Sequence, residues 1–217
     1  MIERAIATTT HGRYLIEPPA AGGPAPTLIG FHGYGEGASV QLDRMRRIPG
    51  ADRWLLVSIQ GLHRFYQRRD NEVVASWMTR QDREQAIDDN LAYVAAVLDS
   101  VAREYDAAPR LILSGFSQGV AMMFRAATAS ARPVDGVIAV GGDVPPELDA
   151  AALTRVRQAL VCHGTRDEWY TGEKFGGDVQ RLRQAGVAVR PLEFDGGHEW
   201  SGEVAEAASA FLRERWR

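Results

Sequence analysis

Short apolar runs, each ending at a glycine-bearing loop, set the rhythm of this chain. Thr27–Phe31 stops at His32-Gly33, Arg110–Ser114 at Gly115, and Leu160–Cys162 at His163-Gly164. Continuous apolar runs bounded by turn signals read as strands buried on both faces. The same pattern predicts strands at Arg53–Ile59 and Gly136–Val140, and Val187–Phe194, which alternates Val, Val, Pro, Glu before breaking at Asp195-Gly196-Gly197-His198, reads as another. Between the runs the period lengthens. Over Asp82–Tyr105, the residues Ala86, Asn90, Val94, Val97, Val101 and Tyr105 fall on one stripe at helical spacing. Val40–Arg47, Gln118–Ala131, Gly172–Ala185 and Glu203–Arg215 read as further helices. Strands alternating with helices predict an α/β fold whose mostly parallel sheet is covered on both faces. At the start, Ile2–Thr8 and Arg13–Glu17 flank Thr9-Thr10-His11-Gly12, which predicts an antiparallel entry hairpin and an eight-stranded sheet. Gln60–Arg80 has no clear periodicity. It reads as a solvated loop, with a substrate rim carrying Arg64, Arg68 and Arg69 as the functional alternative.

Composition narrows the picture without changing it. A chain of 217 residues supports one sizeable core and is short for two, so residues 1–217 are expected to form a single domain. A net charge of −3 with no basic cluster gives no reason to expect nucleic acid. No apolar stretch is long enough for a membrane span, and the first residues lack a signal-peptide pattern. Cys162 is the single cysteine, which rules out an internal disulfide and fits a reducing, cytoplasmic compartment. Lying inside a strand, it reads as a small core residue. Lys174 is the one lysine among 25 basic residues, a bias that points to a GC-rich bacterial genome. No His, Cys, Asp or Glu grouping has metal-ligand spacing, and no strand runs into a lysine-bearing phosphate loop. Neither a metal nor a cofactor is expected.

The chemistry concentrates at the loops that end the strands. Gly115-Phe116-Ser117-Gln118-Gly119 matches G-x-S-x-G, with an apolar strand before it and an Ala- and Met-rich helix after it. Strand, tight turn and helix make a nucleophile elbow of the pattern, projecting Ser117 Oγ from the strand end. A serine hydroxyl is a weak nucleophile and needs a base, the base needs an orienting carboxylate, and the oxyanion needs donors. Asp167 follows the Leu160–Cys162 strand and His198 follows Val187–Phe194, so Ser117, Asp167 and His198 stand in the order used by α/β-hydrolases. Asp143, after Gly136–Val140, is the rival acid. Asp195 reads as a turn former and Asp88-Asp89 as a solvated helix face. The backbone N–H groups of Tyr34 and Gln118 are the expected oxyanion donors, with Gly35 the alternative to Tyr34. His32 reads as a brace for its loop, and His11 and His63 as surface residues.

His32-Gly33-Tyr34-Gly35-Glu36, Gly115–Gly119, His163-Gly164-Thr165-Arg166-Asp167 and Gly197-His198 together resemble the phospholipase/carboxylesterase family, which includes acyl-protein thioesterases. The resemblance spans nearly the whole chain. It implies an α/β-hydrolase fold without a large lid domain, acting on carboxylic ester or thioester bonds. Two positions depart from the family pattern: Val120 stands where another glycine is usual, and Gly141–Pro145 replaces a Ser-Gly-x-x-Pro segment. Trp77, Trp169 and Trp200 are candidate pocket walls, and with Tyr34 they should line an open, shallow cleft around Ser117. The expected activity is hydrolysis of short to medium acyl esters, small molecules, by a monomer or homodimer. Long-chain lysophospholipase or acyl-protein thioesterase activity is the enzymatic alternative, and a binding module that has lost its chemistry is the non-enzymatic one.

Overall fold

The computed structural model describes residues 1–67, 71–105 and 107–214. Among them a seven-stranded sheet forms the centre: β1 (Arg13–Glu17), β2 (Ala25–Phe31), β3 (Leu55–Gln60), β6 (Ala107–Phe116), β7 (Gly136–Val140), β8 (Gln158–Gly164) and β9 (Ala188–Phe194). Its spatial order is β1-β3-β2-β6-β7-β8-β9. Only β1 runs antiparallel, against β3; the other neighbours are parallel. A separate hairpin pairs β4 (His63–Tyr66) with β5 (Val73–Ser76).

Alternating side chains build two cores. Ile29, Phe31, Leu111, Leu113 and Val137 face α2 (Arg83–Glu104), α3 (Gln118–Ala129) and α5 (Gly172–Gln184). Leu28, Ile112, Ile138 and Leu160 face α1 (Ala38–Arg46) and α6 (Gly202–Arg213). A short α4 (Ala150–Leu153) caps the chain before β8. Strands buried on both sides need the continuous apolar runs seen in the sequence.

The sheet has one switch point. From β2 the chain moves outward to β3 on one side, and from β6 it moves outward to β7 on the other. Their following helices, α1 and α3, cover opposite faces, so a crevice opens where the loops after β2 and β6 part. Ligand sites of open α/β sheets lie in such a crevice, at the carboxyl ends of the strands.

Two sequence expectations fail. Ile2–Thr8 forms no strand, so the sheet has seven strands among the described residues, not eight, and β1 is not half of an entry hairpin. Either face of residues 2–8 mixes Ile or Ala with a charged or polar residue, and Ile2 and Ile6 stay 78% and 91% exposed. A strand with no apolar face to bury gains too little to offset its ordering entropy. Conversely, Gln60–Arg80 is not all loop, because β4 and β5 lie within it. All four β4 residues are exposed, so no period of two marks the strand. Arg64 reaches the His11 carbonyl at 3.1 Å, while Arg68, Arg69 and the last residue expected in α6, Arg215, lie outside the described residues.

Candidate active site

Ser117 sits between β6 and α3 with φ 52° and ψ −122°. A non-glycine residue there is strained, at a cost of about 1–3 kcal/mol. Packing imposes it. A Cβ on Gly119 would come within 2.2 Å of the Phe31 carbonyl oxygen and 2.5 Å of that of His32, so the first turn of α3 touches the end of β2 directly. The Ser117 N–H donates to the Val140 carbonyl at 2.9 Å, tying the turn to β7. Val120 is fully buried, and a Cβ on Gly142 would lie 2.8 Å from it, so the larger residue on α3 fills space that the glycine leaves.

The structure brings Ser117, His198 and Asp167 into one line. His198 Nε2 lies 2.8 Å from Ser117 Oγ, and Nδ1 lies 2.7 Å from Asp167 Oδ2. The carboxylate can only accept, so Nδ1 carries the proton and Nε2 is left to accept from the serine hydroxyl. Asp167 Oδ1 accepts from the backbone N–H groups of Trp169 (2.8 Å) and Tyr170 (3.0 Å). Burial pushes the Asp167 carboxyl up, but these donors and His198 together hold it below its ordinary range. Gly141, at φ 63°, passes under the pair: a Cβ there would sit 3.3 Å from the His198 ring and 3.4 Å from Asp167 Oδ2. Asp143 points elsewhere, with its carboxylate 3.5 Å from Lys174 Nζ. Asp195 is exposed and pairs with Arg166.

The loop after β2 faces this line. Gly33 N–H donates to Glu36 Oε2 at 2.8 Å and Gly35 N–H to the Ala75 carbonyl at 3.0 Å. Gly35 is therefore committed to β5. The Tyr34 N–H carries no hydrogen bond among the described residues. The Gln118 N–H, at the first position of α3, precedes the intrahelical ladder. His32 is buried beneath the loop. Gly61 N–H donates to its Nε2 at 3.0 Å, so the ring proton is on Nδ1, 2.7 Å from the Gly33 carbonyl. Burial lowers its pKa and keeps it neutral in this bracing role.

Two clefts of about 480 and 500 Å³ meet at Tyr34, Ser117 and His198. The first is walled by Glu36, Arg44, Arg47, Phe116 and Trp200. The second is walled by Ala121, Gly142, Trp169 and Tyr170, with Asp143 and Lys174 at its rim. Trp169 is 76% exposed and Trp200 half-buried. Trp77 departs from expectation. It lines neither cleft; it is fully buried, with its Nε1–H on the His32 carbonyl at 2.8 Å and its backbone N–H on Gln118 Oε1 at 2.9 Å. Gln118 Nε2 donates to the Met78 carbonyl at 3.0 Å, so its side chain binds the elbow to the end of β5. Arg44 was not singled out in the sequence, and Glu36 only as the last residue of the His32–Glu36 motif. The available signal was the spacing of Val40, Asp43, Arg44 and Arg47, which puts one helical face toward Ser117.

No helix among the described residues is long and apolar enough to cross a membrane. Cys162 is fully buried, which pushes its thiol pKa up.

Known proteins share this fold. Esterase PE8 is 21% identical, with 94% of this chain and 99% of that one covered and a TM-score of 0.71. A Bacillus cereus carboxylesterase is 15% identical, with 92% of each chain covered and a TM-score of 0.72. Zea mays acyl-protein thioesterase 2 is 18% identical, with 93% and 98% covered and a TM-score of 0.70. At these identities the likeness establishes the α/β-hydrolase fold. The sequence model of phospholipases and carboxylesterases matches residues 15–214, and with that span the chain belongs to the phospholipase/carboxylesterase family of hydrolases.

Proposed function

We propose that the chain is a serine hydrolase cleaving carboxylic esters, and thioesters of the same acyl groups, through an acyl-enzyme formed on Ser117. The observation that carries this reading is the unbroken contact from Asp167 through His198 to Ser117 Oγ, at 2.7 and 2.8 Å. Ser117 Oγ attacks the acyl carbonyl as His198 Nε2 takes its proton, and Asp167 stabilises the imidazolium that forms. The carbonyl oxygen, now negative, is met by the N–H groups of Tyr34 and Gln118, each typically worth about 3 kcal/mol of barrier. The imidazolium returns its proton to the leaving alcohol or thiol. Water then repeats the sequence on the acyl-enzyme with His198 again as base.

The acyl group belongs in the Trp169 cleft and the leaving group in the Arg44 cleft, because apolar surface lines the first and ionic groups the second. The Asp143–Lys174 pair also lines the Trp169 cleft, and a chain long enough to meet it would gain no further apolar contact there. Short to medium acyl chains fit best, small-molecule esters being the substrates, with residues 1–217 acting as one catalytic unit.

A fluorophosphonate probe and a ladder of p-nitrophenyl esters test this. Label should fall on Ser117, and Ser117→Ala should lower turnover by about 10⁶ while leaving the circular dichroism unchanged. kcat/KM should stop rising after a few acyl carbons, where full burial would add about 0.8 kcal/mol per methylene. Label on Ser114, or a steady climb to palmitoyl, would overturn the nucleophile or the chain-length reading respectively.

A further inference from the structure

Glu36 and Arg44 join the two loops that the proposed reaction needs. Glu36 Oε2 accepts the Gly33 N–H at 2.8 Å. Arg44 grips the same carboxylate with both guanidinium nitrogens, Nη1 to Oε2 at 2.5 Å and Nη2 to Oε1 at 2.7 Å. The guanidinium carbon lies over Phe116, 3.9 Å from the ring centroid, and the Phe116 ring lies 5.0 Å from that of His198. Both charged side chains are largely buried, at 20% and 14% exposure, so solvent screens the pair weakly. On its far side the loop is held by Ala75, which accepts from Gly35 N–H and donates to the Glu36 carbonyl at 2.8 Å.

Of three successive N–H groups, then, Gly33 is taken by Glu36, Gly35 by Ala75, and Tyr34 alone remains. From this we infer that Glu36 and Arg44 are positioning residues: the ion pair fixes the Gly33 peptide so that the Tyr34 N–H is presented to the oxyanion, and braces Phe116 behind the nucleophile. The inference rests on the hydrolase reading above. Neither residue touches the reacting atoms. Both side chains also wall the cleft given to the leaving group, so the effect carried through Tyr34 is read on ligands without one: large on turnover and ketone affinity, small on carbinol affinity. A bidentate guanidinium placed over an aromatic ring is also the geometry that lysine does not reproduce.

The test compares wild type with Glu36→Gln, Arg44→Met and the double variant. Two ligands are used: a short-chain trifluoromethyl ketone, whose addition to Ser117 creates an oxyanion, and the matching methyl carbinol, which cannot add. Each single variant should lose about ten- to hundredfold in kcat with KM within about threefold, short of the loss of a whole oxyanion donor. Ketone affinity should fall by the same factor as kcat/KM, while carbinol affinity holds. The double variant should be within about threefold of the worse single one, since the pair acts as a unit. Should Glu36→Gln not fold, Arg44→Met carries the same comparison. Variants that turn over like wild type, or that lose ketone and carbinol affinity together, would overturn the inference. A wild type that neither hydrolyses esters nor binds the ketone would overturn the hydrolase reading instead.

Discussion

Asp167 and Asp143 each follow a strand of the sheet, β8 and β7, yet only one can orient His198. Asp167 has both carboxylate oxygens engaged: two backbone N–H groups hold one, and the other faces Nδ1. Asp143 is exposed and paired with Lys174. Asp167→Asn presents an amide where the imidazole needs an acceptor, so kcat should fall by about 10³–10⁴ in a steady-state ester assay. Asp143→Asn should change it by about fivefold at most, the scale of an exposed ion pair. The reverse ranking would move the acid to β7. Chain order narrowed the choice to these two carboxylates and could not finish it, because residue separation does not say which loop folds back over β9. The alternative between Tyr34 and Gly35 was open for the same reason. It depends on Ala75, forty residues further along a hairpin that no sequence period announces.

At the scale of elements, the decisive contact is α3 against the end of β2. Gly119→Ala places a methyl carbon where the Phe31 carbonyl oxygen lies 2.2 Å away, and backbone cannot yield as a side chain tip can. The substitution should destabilise the fold by about 1–3 kcal/mol or more, a fall of several degrees in melting temperature by calorimetry, and should lower activity through a displaced elbow. An unchanged melting temperature would show that the two elements can separate at no cost. Strands buried on both faces were legible because their runs are continuously apolar. The β4–β5 hairpin was not, since its β4 residues face water on both sides, and Ile2–Thr8 misled because isolated isoleucines mimic a strand without supplying a face. Trp77 is the same lesson within an element: its aromatic character suggested a pocket wall, whereas the hairpin turns it under the loop after β2, where its indole N–H has a carbonyl to satisfy.

Over the whole molecule, the ionisable groups around the crevice link stability to pH with opposite signs. For Glu36, burial alone would raise the pKa, but Arg44 and the Gly33 N–H outweigh it and hold the carboxyl below its ordinary value of 4.5. The folded state then binds fewer protons than the unfolded one in that window, so this contribution is complete above 4.5 and is lost as pH falls through the lowered folded value. Asp178 is the converse: burial raises its pKa, so its effect is a penalty that grows as pH rises above the ordinary 3.8 and is complete once pH passes the raised value. Glu36→Gln should therefore melt below wild type at neutral pH, and the gap should narrow on titration below pH 4.5. A constant gap across that range would show that Glu36 does not contribute through its charge.

What the sequence determined by itself is whatever local pattern can encode. Continuous apolar runs and helical stripes made a mostly parallel α/β sheet the economical reading, and glycines flanking Ser117, between an apolar strand and a helix, marked a tight turn. The motifs around His32, Gly115, His163 and His198 carried the family resemblance. Tertiary structure decided everything that depends on which loops meet. The reversal of strand order between β2 and β6 opens the crevice, and it brings residues eighty-one positions apart, Ser117 and His198, to 2.8 Å. It also sets Glu36 and Arg44 against Phe116, and sends Trp77 inward. Such meetings are properties of the assembled sheet: the directional bonds that create them form only once distant strands have paired, and no periodicity along the chain records them.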